Sequence, residues 1–496
     1  MDAIQIHPSD NVAVALRDLK AGETACGVTL CSDVPSGHKF TLRPLRAGED
    51  VIKYGFPTGH VTVPVPMGEF VNHQNIHTNL EGLLEYHFEP SAESAPALPS
   101  NNNADYFMGY HRNDGQVGVR NQLWIIPTVG CVNGIVQTLA ETFRAEIKDC
   151  EGSVDAVVAF PHNYGCSQLG DDHRNTQRIL ADMVHHPNCG GVLIVGLGCE
   201  NNQMTDLLQM VGTVNERRVR TMVVQNVEGD EIQVGLRLLR ELHAECAGDQ
   251  RERTPLSALR VGLKCGGSDG LSGITANPLL GAFSDWLTAH GGTTVLTEVP
   301  EMFGAETILM NRCKDRETFD KTVSLINDFK RYFMASGQPV YENPSPGNKA
   351  GGISTLEEKS LGCVQKSGSS SVMDVLGYGE RIRTAGLNLL NAPGNDLVAS
   401  TALGAAGCQL VLFTTGRGTP FGCFVHTLKV ATNSGLAVRK SDWIDFNAGV
   451  LAEGGPMMDV ASQFVNYVLR VASGEPLNNE RKGYSEIAIF KTGITL

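Results

Sequence analysis

Beyond about residue 120 the chain alternates short apolar runs with stretches of helical periodicity, and that alternation admits few architectures. Leu123-Trp-Ile-Ile-Pro-Thr-Val129, Val154-Asp-Ala-Val-Val-Ala-Phe160, Gly191-Val-Leu-Ile-Val-Gly196 and Arg220-Thr-Met-Val-Val224 read as buried strands. Between them, Asn133 to Lys148, Asn175 to Met183 and Asp230 to Cys246 carry apolar residues at helical spacing. Continuously apolar strands separated by helices make a parallel α/β sheet covered on both faces. After a polar stretch near Gly248 to Ser257 the pattern resumes. Thr293 to Thr297, Leu387 to Leu390, Leu410 to Phe413 and Thr427 to Val430 are the strands, with helices at about 318 to 335 and 457 to 472. Periodicity does not give the strand order of either sheet.

The first 88 residues differ. Ile4-Gln-Ile6, Val12 to Leu16, Val28-Thr-Leu30, Lys39 to Leu42, Val51 to Tyr54 and Val61-Thr-Val63 are short β-favouring runs punctuated by Pro35-Ser-Gly37 and Pro57-Thr-Gly59. Pro90 to Asn103 turns to Pro, Ser, Ala and Asn, which is linker composition. At 496 residues the chain exceeds one ordinary core. The expected units are therefore 1–88, a linker 89–104, an α/β unit 105–250 and a parallel-sheet unit 258–496.

A net charge of −14 disfavours nucleic acid and anionic membranes as partners. The opening Met1-Asp-Ala-Ile-Gln-Ile-His-Pro8 lacks a signal pattern, and no apolar run reaches bilayer length. Thirteen cysteines scattered through such a chain read as reduced thiols, so the expected compartment is the cytoplasm.

Four cysteines share one local setting, next to glycine at the end of an apolar run: Cys131, Cys166, Cys199 and Cys265. In a parallel sheet these positions fall at the carboxyl ends of strands, where ligands bind. Converging thiolates there would suit iron or another soft-tolerant metal, with His162 as a possible nitrogen ligand; small cysteines filling tight turns explain each one singly. Val261 to Pro278 adds strand, glycine-rich turn and helix start in succession, an arrangement that offers backbone N–H groups to an anion. Its glycines match neither dinucleotide nor P-loop spacing, which argues against a nicotinamide oxidoreductase. Glu298 and Glu301 follow a strand and read either as metal ligands or acid/base groups, or as a solvated helix start. Lys349, Lys366 and Arg417 stand within further glycine-rich turns, and cations among N–H-rich backbone suit a polyhydroxylated anion. His73 and His77, four apart, would share a helix face and could bind a metal, although exposure in so polar a stretch explains them more simply.

Long phrases carry a resemblance. Cys265-Gly-Gly-Ser-Asp-Gly-Leu-Ser-Gly-Ile-Thr-Ala-Asn-Pro278, Asn343-Pro-Ser-Pro-Gly-Asn-Lys349, Phe413-Thr-Thr-Gly-Arg-Gly-Thr-Pro420 and Gly196-Leu-Gly-Cys-Glu-Asn-Asn202 resemble the altronate/galactarate dehydratase family. Gly165 to His173 and Thr297 to Glu306 are closer to its altronate-acting members, and the likeness spans essentially the whole chain. The resemblance implies an N-terminal β-clip (SAF-like) domain, a middle domain used for homodimerisation, and a C-terminal Rossmann-like variant with an unusual crossover. It further implies a divalent metal, Fe(II) first and Mn(II) second, and dehydration of D-altronate to 2-dehydro-3-deoxy-D-gluconate in galacturonate breakdown.

Dehydrating a 2,3-dihydroxy acid means removing the C2 proton, holding the enediolate and protonating the departing C3 hydroxyl. For that chemistry the expected metal ligands are His162, Cys166, Cys199 and Cys265, with Glu298 or Glu301 in reserve. Ser268, Asn348, Lys349 and Arg417 are the expected substrate contacts. Proton transfer is assigned to His38 and Lys39, delivered by the N-terminal domain, and to Asp269. The alternatives are a dehydratase of a related acid such as galactarate or sulfolactate, and a non-catalytic sugar-acid binder.

Overall fold

The computed structural model describes residues 2–90, 105–148 and 152–496, so most of the expected linker lies outside the described residues. The N-terminal part is all β. Ala3–Ile4, Val12–Ala15, Lys39–Thr41 and Phe70–Val71 form one antiparallel sheet in that order. Asp50–Lys53, Phe56–Val61 and Ile76–His77 form a second. The helix that would have aligned His73 with His77 is absent, because Ile76 and His77 pair with Val61 and His60 as strand.

The middle sheet is parallel, in the order Ala156–Ala159, Gln122–Pro127, Cys189–Gly196, Val219–Val223. Asn133–Glu146, Gly170–Val184, Met204–Val211 and Glu231–Cys246 are its α-helices among the described residues. Asp230 starts the last of these by accepting hydrogen bonds from the N–H groups of Ile232 and Gln233. Tyr106–His111 pairs antiparallel with Glu252–Pro255, tying the start of this unit to its end.

The C-terminal sheet has seven parallel strands: Val372–Leu376, Gly386–Leu390, Thr293–Leu296, Arg260–Cys265, Leu410–Thr415, His426–Ala431 and Phe446–Asn447. In chain order these are the third, fourth, second, first, fifth, sixth and seventh. The exchange of third and fourth is the departure from simple double winding. Winding reverses at Arg260–Cys265, so the crevice at the carboxyl ends of that strand and Leu410–Thr415 is the topological switch point, where such sheets bind ligands. The glycine-rich turn after Cys265 and the helix Ala276–Ala289 lie there.

The middle and C-terminal sheets share one core. Trp124, Ile126, Phe160 and Leu180 pack in one cluster with Val295, Leu403, Phe413 and Phe424. Trp124 meets Phe160 and Phe424 edge-on at centroid distances of 5.2 and 5.6 Å. The N-terminal domain covers the switch-point crevice. Thr355 donates to the Thr58 carbonyl at 2.5 Å, and Thr78 and the Asn79 N–H bind the Glu357 carboxylate. Among the described residues no helix is long and apolar enough to cross a membrane.

Candidate active site

The floor of the crevice is a buried lattice of charge. Lys264, on the first strand of the C-terminal sheet, reaches Glu298 at 2.5 Å and Asp396 at 2.8 Å. Glu298 also accepts from the Cys265 N–H at 3.0 Å and faces Lys366 at 3.3 Å. It adopts φ 68°, ψ 61°, a left-handed conformation uncommon for a residue with a Cβ. The side-chain contacts to two lysines and a strand end hold it there.

One step further in, three ligand-type atoms converge. Cys265 Sγ lies 3.1 Å from Glu301 Oε2 and 3.4 Å from Cys363 Sγ, and Cys363 Sγ lies 3.2 Å from the same carboxylate oxygen. Among the described residues no other set of three His, Cys, Asp or Glu ligand atoms lies within 4.8 Å. Lys366 Nζ stands 2.8 Å from Cys265 Sγ, and Lys359 Nζ 2.8 Å from Glu301 Oε1. All five of these residues are buried.

The charges decide what this set can hold. Three lysine ammoniums face three carboxylates, Glu298, Glu301 and Asp396. Ionising both thiols would leave an excess of two negative charges, the charge a divalent cation carries. Burial alone would raise the Glu301 carboxyl, but Lys359 and Lys366 hold it well below the usual range. Burial and repulsion from Glu301 push Glu298 up. The Cys363 thiol is raised by its hydrogen bond with Cys265 and by burial. Two thiols and a carboxylate are a soft-tolerant donor set, and about 2.3 Å bonds to sulfur in tetrahedral geometry put sulfurs about 3.8 Å apart, so the atoms found at 3.1–3.4 Å need only a small outward shift to ligate. The residues fit a divalent metal; burying this many ions costs several kcal/mol each and is no stability device.

A cavity of about 550 Å³ opens above, between Ser36 and Gly37 of the N-terminal domain and Asp269, Gly416, Arg417, Asn433 and Arg439 of the C-terminal one. A pinched space of about 10 Å³, lined by Ser268, Lys359 and Cys363, shares Asp269 with it. Another cavity, about 470 Å³ beside Arg112 and Arg218, sits at the amino ends of the middle strands, the end that α/β sheets do not use for ligands.

Several expected residues are here. Asp269 is buried and accepts from Thr432 at 2.9 Å, Ser272 at 3.0 Å, Asn433 at 3.1 Å and the Leu271 N–H at 3.2 Å. Ser268 is buried, and no described group hydrogen-bonds its Oγ. Asn348 supports it from behind, donating to the Ser268 carbonyl at 2.8 Å while its own Oδ1 closes the cap of the short helix Pro346–Ala350. Arg417 lines the large cavity and is exposed; Lys349 is half-buried on that short helix and does not line it. His38 is half-buried at the domain junction, its Nε2 donating to the Ala350 carbonyl at 3.3 Å. Burial lowers its pKa, which keeps the ring neutral near pH 7.

Others are elsewhere or otherwise engaged. Lys39 is fully buried and bound by Ser354 at 2.6 Å and Glu358 at 2.8 Å; Lys53 takes the other Glu358 oxygen at 2.8 Å. Lys39 is thus a strut between domains rather than a free acid or base. His162, Cys166 and Cys199 belong to the middle domain and form no single site with Cys265. His162 could not ligate in any case: Nε2 donates to the Pro127 carbonyl at 2.8 Å and Nδ1 accepts from the Tyr164 N–H at 3.1 Å, leaving no lone pair. Burial drives its pKa down to about 4.

Cys363, Lys359 and Lys264 escape the sequence reading. Cys363 and Lys359 lie on Leu356–Val364, a helix buried on every side. Its only signal was two acidic residues and a lysine in a segment with no polar face to carry them.

Comparison with known proteins agrees with this geometry. Residues 1–79 match the altronate/galactarate dehydratase SAF domain, 109–247 the D-galactarate dehydratase/altronate hydrolase second domain, and 256–495 the D-galactarate/altronate dehydratase C-terminal domain. The chain is 55% identical to altronate dehydratase of Bacillus subtilis over 99% of both chains, and 54% identical to that of Escherichia coli over 100% of both. It is 33% identical to galactarate dehydratase (L-threo-forming) of Escherichia coli over 98% of this chain and 96% of that one. The SAF match, the switch-point crevice and full-length identity agree: the chain belongs to the altronate/galactarate dehydratase family.

Proposed function

We propose that this protein is a hydro-lyase that removes water from D-altronate to give 2-dehydro-3-deoxy-D-gluconate, in the cytoplasm and as a homodimer. The observation that carries the reading is the placement of the buried Cys265–Glu301–Cys363 set under a cationic cavity at the switch point of the C-terminal sheet. A divalent metal bound there would stabilise charge developing on the substrate's carboxylate as C2 loses its proton. Thiolate donors favour Fe(II) over Mn(II).

The chain's own groups supply the rest. Arg417 at the cavity wall can grip a carboxylate with two N–H groups. Ser268 Oγ, buried and unpartnered, is free to bond a substrate hydroxyl or its water. His38, neutral at the roof, is suited to take the C2 proton and pass one to the C3 hydroxyl as it leaves; the enol product then tautomerises to the 2-keto acid. Asp269, its oxygens already held by four donors, acts by fixing the wall between cavity and ligand set.

Arg439 lines the same cavity and gives it a second cation, which favours one rival reading, a dicarboxylate substrate such as galactarate. Turnover of D-altronate and of galactarate, measured on anaerobically prepared protein before and after chelation, tests both points. Full activity after complete metal removal would sink the metal-dependent mechanism; preference for galactarate would reassign the substrate.

A further inference from the structure

Three neighbouring strands of the middle sheet end in the same device, and the dehydration chemistry uses none of them. Gly130-Cys131 follows Gln122–Pro127, Gly165-Cys166 follows Ala156–Ala159, and Gly198-Cys199 follows Cys189–Gly196. Adjacent strands are about 4.8 Å apart, so the three loops leave the sheet side by side. They are also laced together. The Gly130 N–H donates to the Tyr164 carbonyl at 3.0 Å, and the Asn202 N–H donates to the Gly165 carbonyl at 2.9 Å. Asn202 Nδ2 donates to the Thr128 carbonyl at 3.0 Å.

The glycines make this closeness possible. A methyl at Gly165 would overlap the Thr128 carbonyl, and one at Gly130 would stand 2.7 Å from the His162 carbonyl oxygen. Gly165 and Gly198 also hold positive φ, 96° and 127°. Yet the residue after each glycine is an exposed thiol, although free cysteine is among the most buried residue types. Backbone is packed as tightly as it can be while three thiols are left facing outward.

Their spacing narrows the ligand. One tetrahedral ion would need its sulfurs about 3.8 Å apart. These thiols form no ligand group within 4.8 Å, unlike Cys265 and Cys363. A polynuclear centre that brings its own bridging sulfides spans wider thiolates. Polar side chains also approach the sulfurs: Gln225 Nε2 lies 3.5 Å from Cys199 Sγ and Asn201 Oδ1 3.5 Å from Cys166 Sγ. Polar contacts of this kind tune such clusters. We propose that Cys131, Cys166 and Cys199 bind an iron–sulfur cluster, separate from the Cys265–Glu301–Cys363 site. Each thiol gives its proton to solvent as it ligates iron, and ferric and ferrous iron with inorganic sulfide complete the cluster, so assembly needs no further oxidant.

The test is anaerobic reconstitution of the thiol-reduced full chain with ferric and ferrous iron and sulfide. Iron, acid-labile sulfide and Mössbauer spectra are read after desalting, with folding followed by circular dichroism. The proposal expects several irons with matching labile sulfide, lost about ten-fold or more in Cys131→Ala, Cys166→Ala and Cys199→Ala but kept in Cys265→Ala. Alkylation read by mass spectrometry gives a second measurement that needs no variant: the three thiols react freely before reconstitution and are protected after it. No labile sulfide, sulfide retained in the triple variant, a single bound ion without sulfide, or unchanged alkylation would each overturn the proposal.

Discussion

The two parallel sheets place cysteines by the same local rule, an apolar run, then glycine and cysteine in either order at the strand's carboxyl end, and give them opposite surroundings. In the middle sheet the thiols of Cys131, Cys166 and Cys199 face solvent, and the loops beneath them are tied by backbone hydrogen bonds. In the C-terminal sheet Cys265 is buried among lysines and carboxylates. What differs is the cover. The N-terminal domain and the helix Leu356–Val364 roof the second crevice, whereas no domain described here roofs the first. Thiols in an open site are held in place by backbone; thiols under a roof must be balanced charge against charge.

The sharpest way to break this contrast is to remove the buried sulfur. Cys265→Ala is expected to lower kcat/KM for altronate by about 10³-fold, roughly 4 kcal/mol of transition-state stabilisation, with loss of bound metal. Steady-state kinetics with metal analysis checks it, and near-normal turnover would detach this site from the chemistry.

Next in size is the roof itself. Glu358 is buried between Lys39 and Lys53, which hold its carboxyl down to about 2 against its burial. Glu358→Gln leaves two buried ammoniums short of a partner and is expected to cost about 3–5 kcal/mol in denaturant unfolding. The same carboxylate sets an acid limit. Its folded pKa is depressed, so its contribution is complete above the ordinary value near 4.5 and is lost as pH falls toward 2.

The open region has its own acid signature at higher pH. His162 is held neutral down to about pH 4, while the unfolded chain takes up that proton near 6.5. Between those values the unfolded state binds more protons, so His162 lowers stability as pH drops from 6.5 toward 4, its own share being about 3 kcal/mol, with His186 adding to the same slope. His162→Gln should make that part of a stability–pH curve less steep; an unchanged slope would mean the ring is not neutral in the fold.

The smallest effect belongs to the cavity wall. Arg417→Lys keeps the charge but loses the two-pronged grip, and should raise KM about ten-fold with kcat little changed. A fall in kcat at constant KM would instead place Arg417 at the reacting centre.

Much of this was legible in the residues. The parallel α/β class, the start of the helix at Ala276 and the special character of Cys265 and its glycines follow from local pattern, because strand burial and turn geometry are local. The partners of Cys265 were not legible. Cys363 is 98 residues away, and Glu301 and Lys359 reach the site only because the sheet order brings their segments past the first strand. No periodicity records that order; the edge strand Val372–Leu376 pairs through a crossover, and its sequence carries no mark of its neighbour. Grouping Cys166 and Cys199 with Cys265 failed for the same reason. A turn motif specifies where a thiol sits on its own strand, and the cover above it is specified elsewhere in the chain.

The seating of the roof has a further consequence. The Gly37 carbonyl rests against Gly270 and Gly352, where added methyls would overlap it. The height of the substrate chamber is therefore gauged by main chain against main chain, with no rotamers to give way. If the cavity holds the sugar acid as proposed, a longer one would require lifting the N-terminal domain off this seat rather than a side-chain adjustment. Under the proposed function, size selection would rest on the backbone contact of these three glycines, and Gly270→Ala is expected to loosen it.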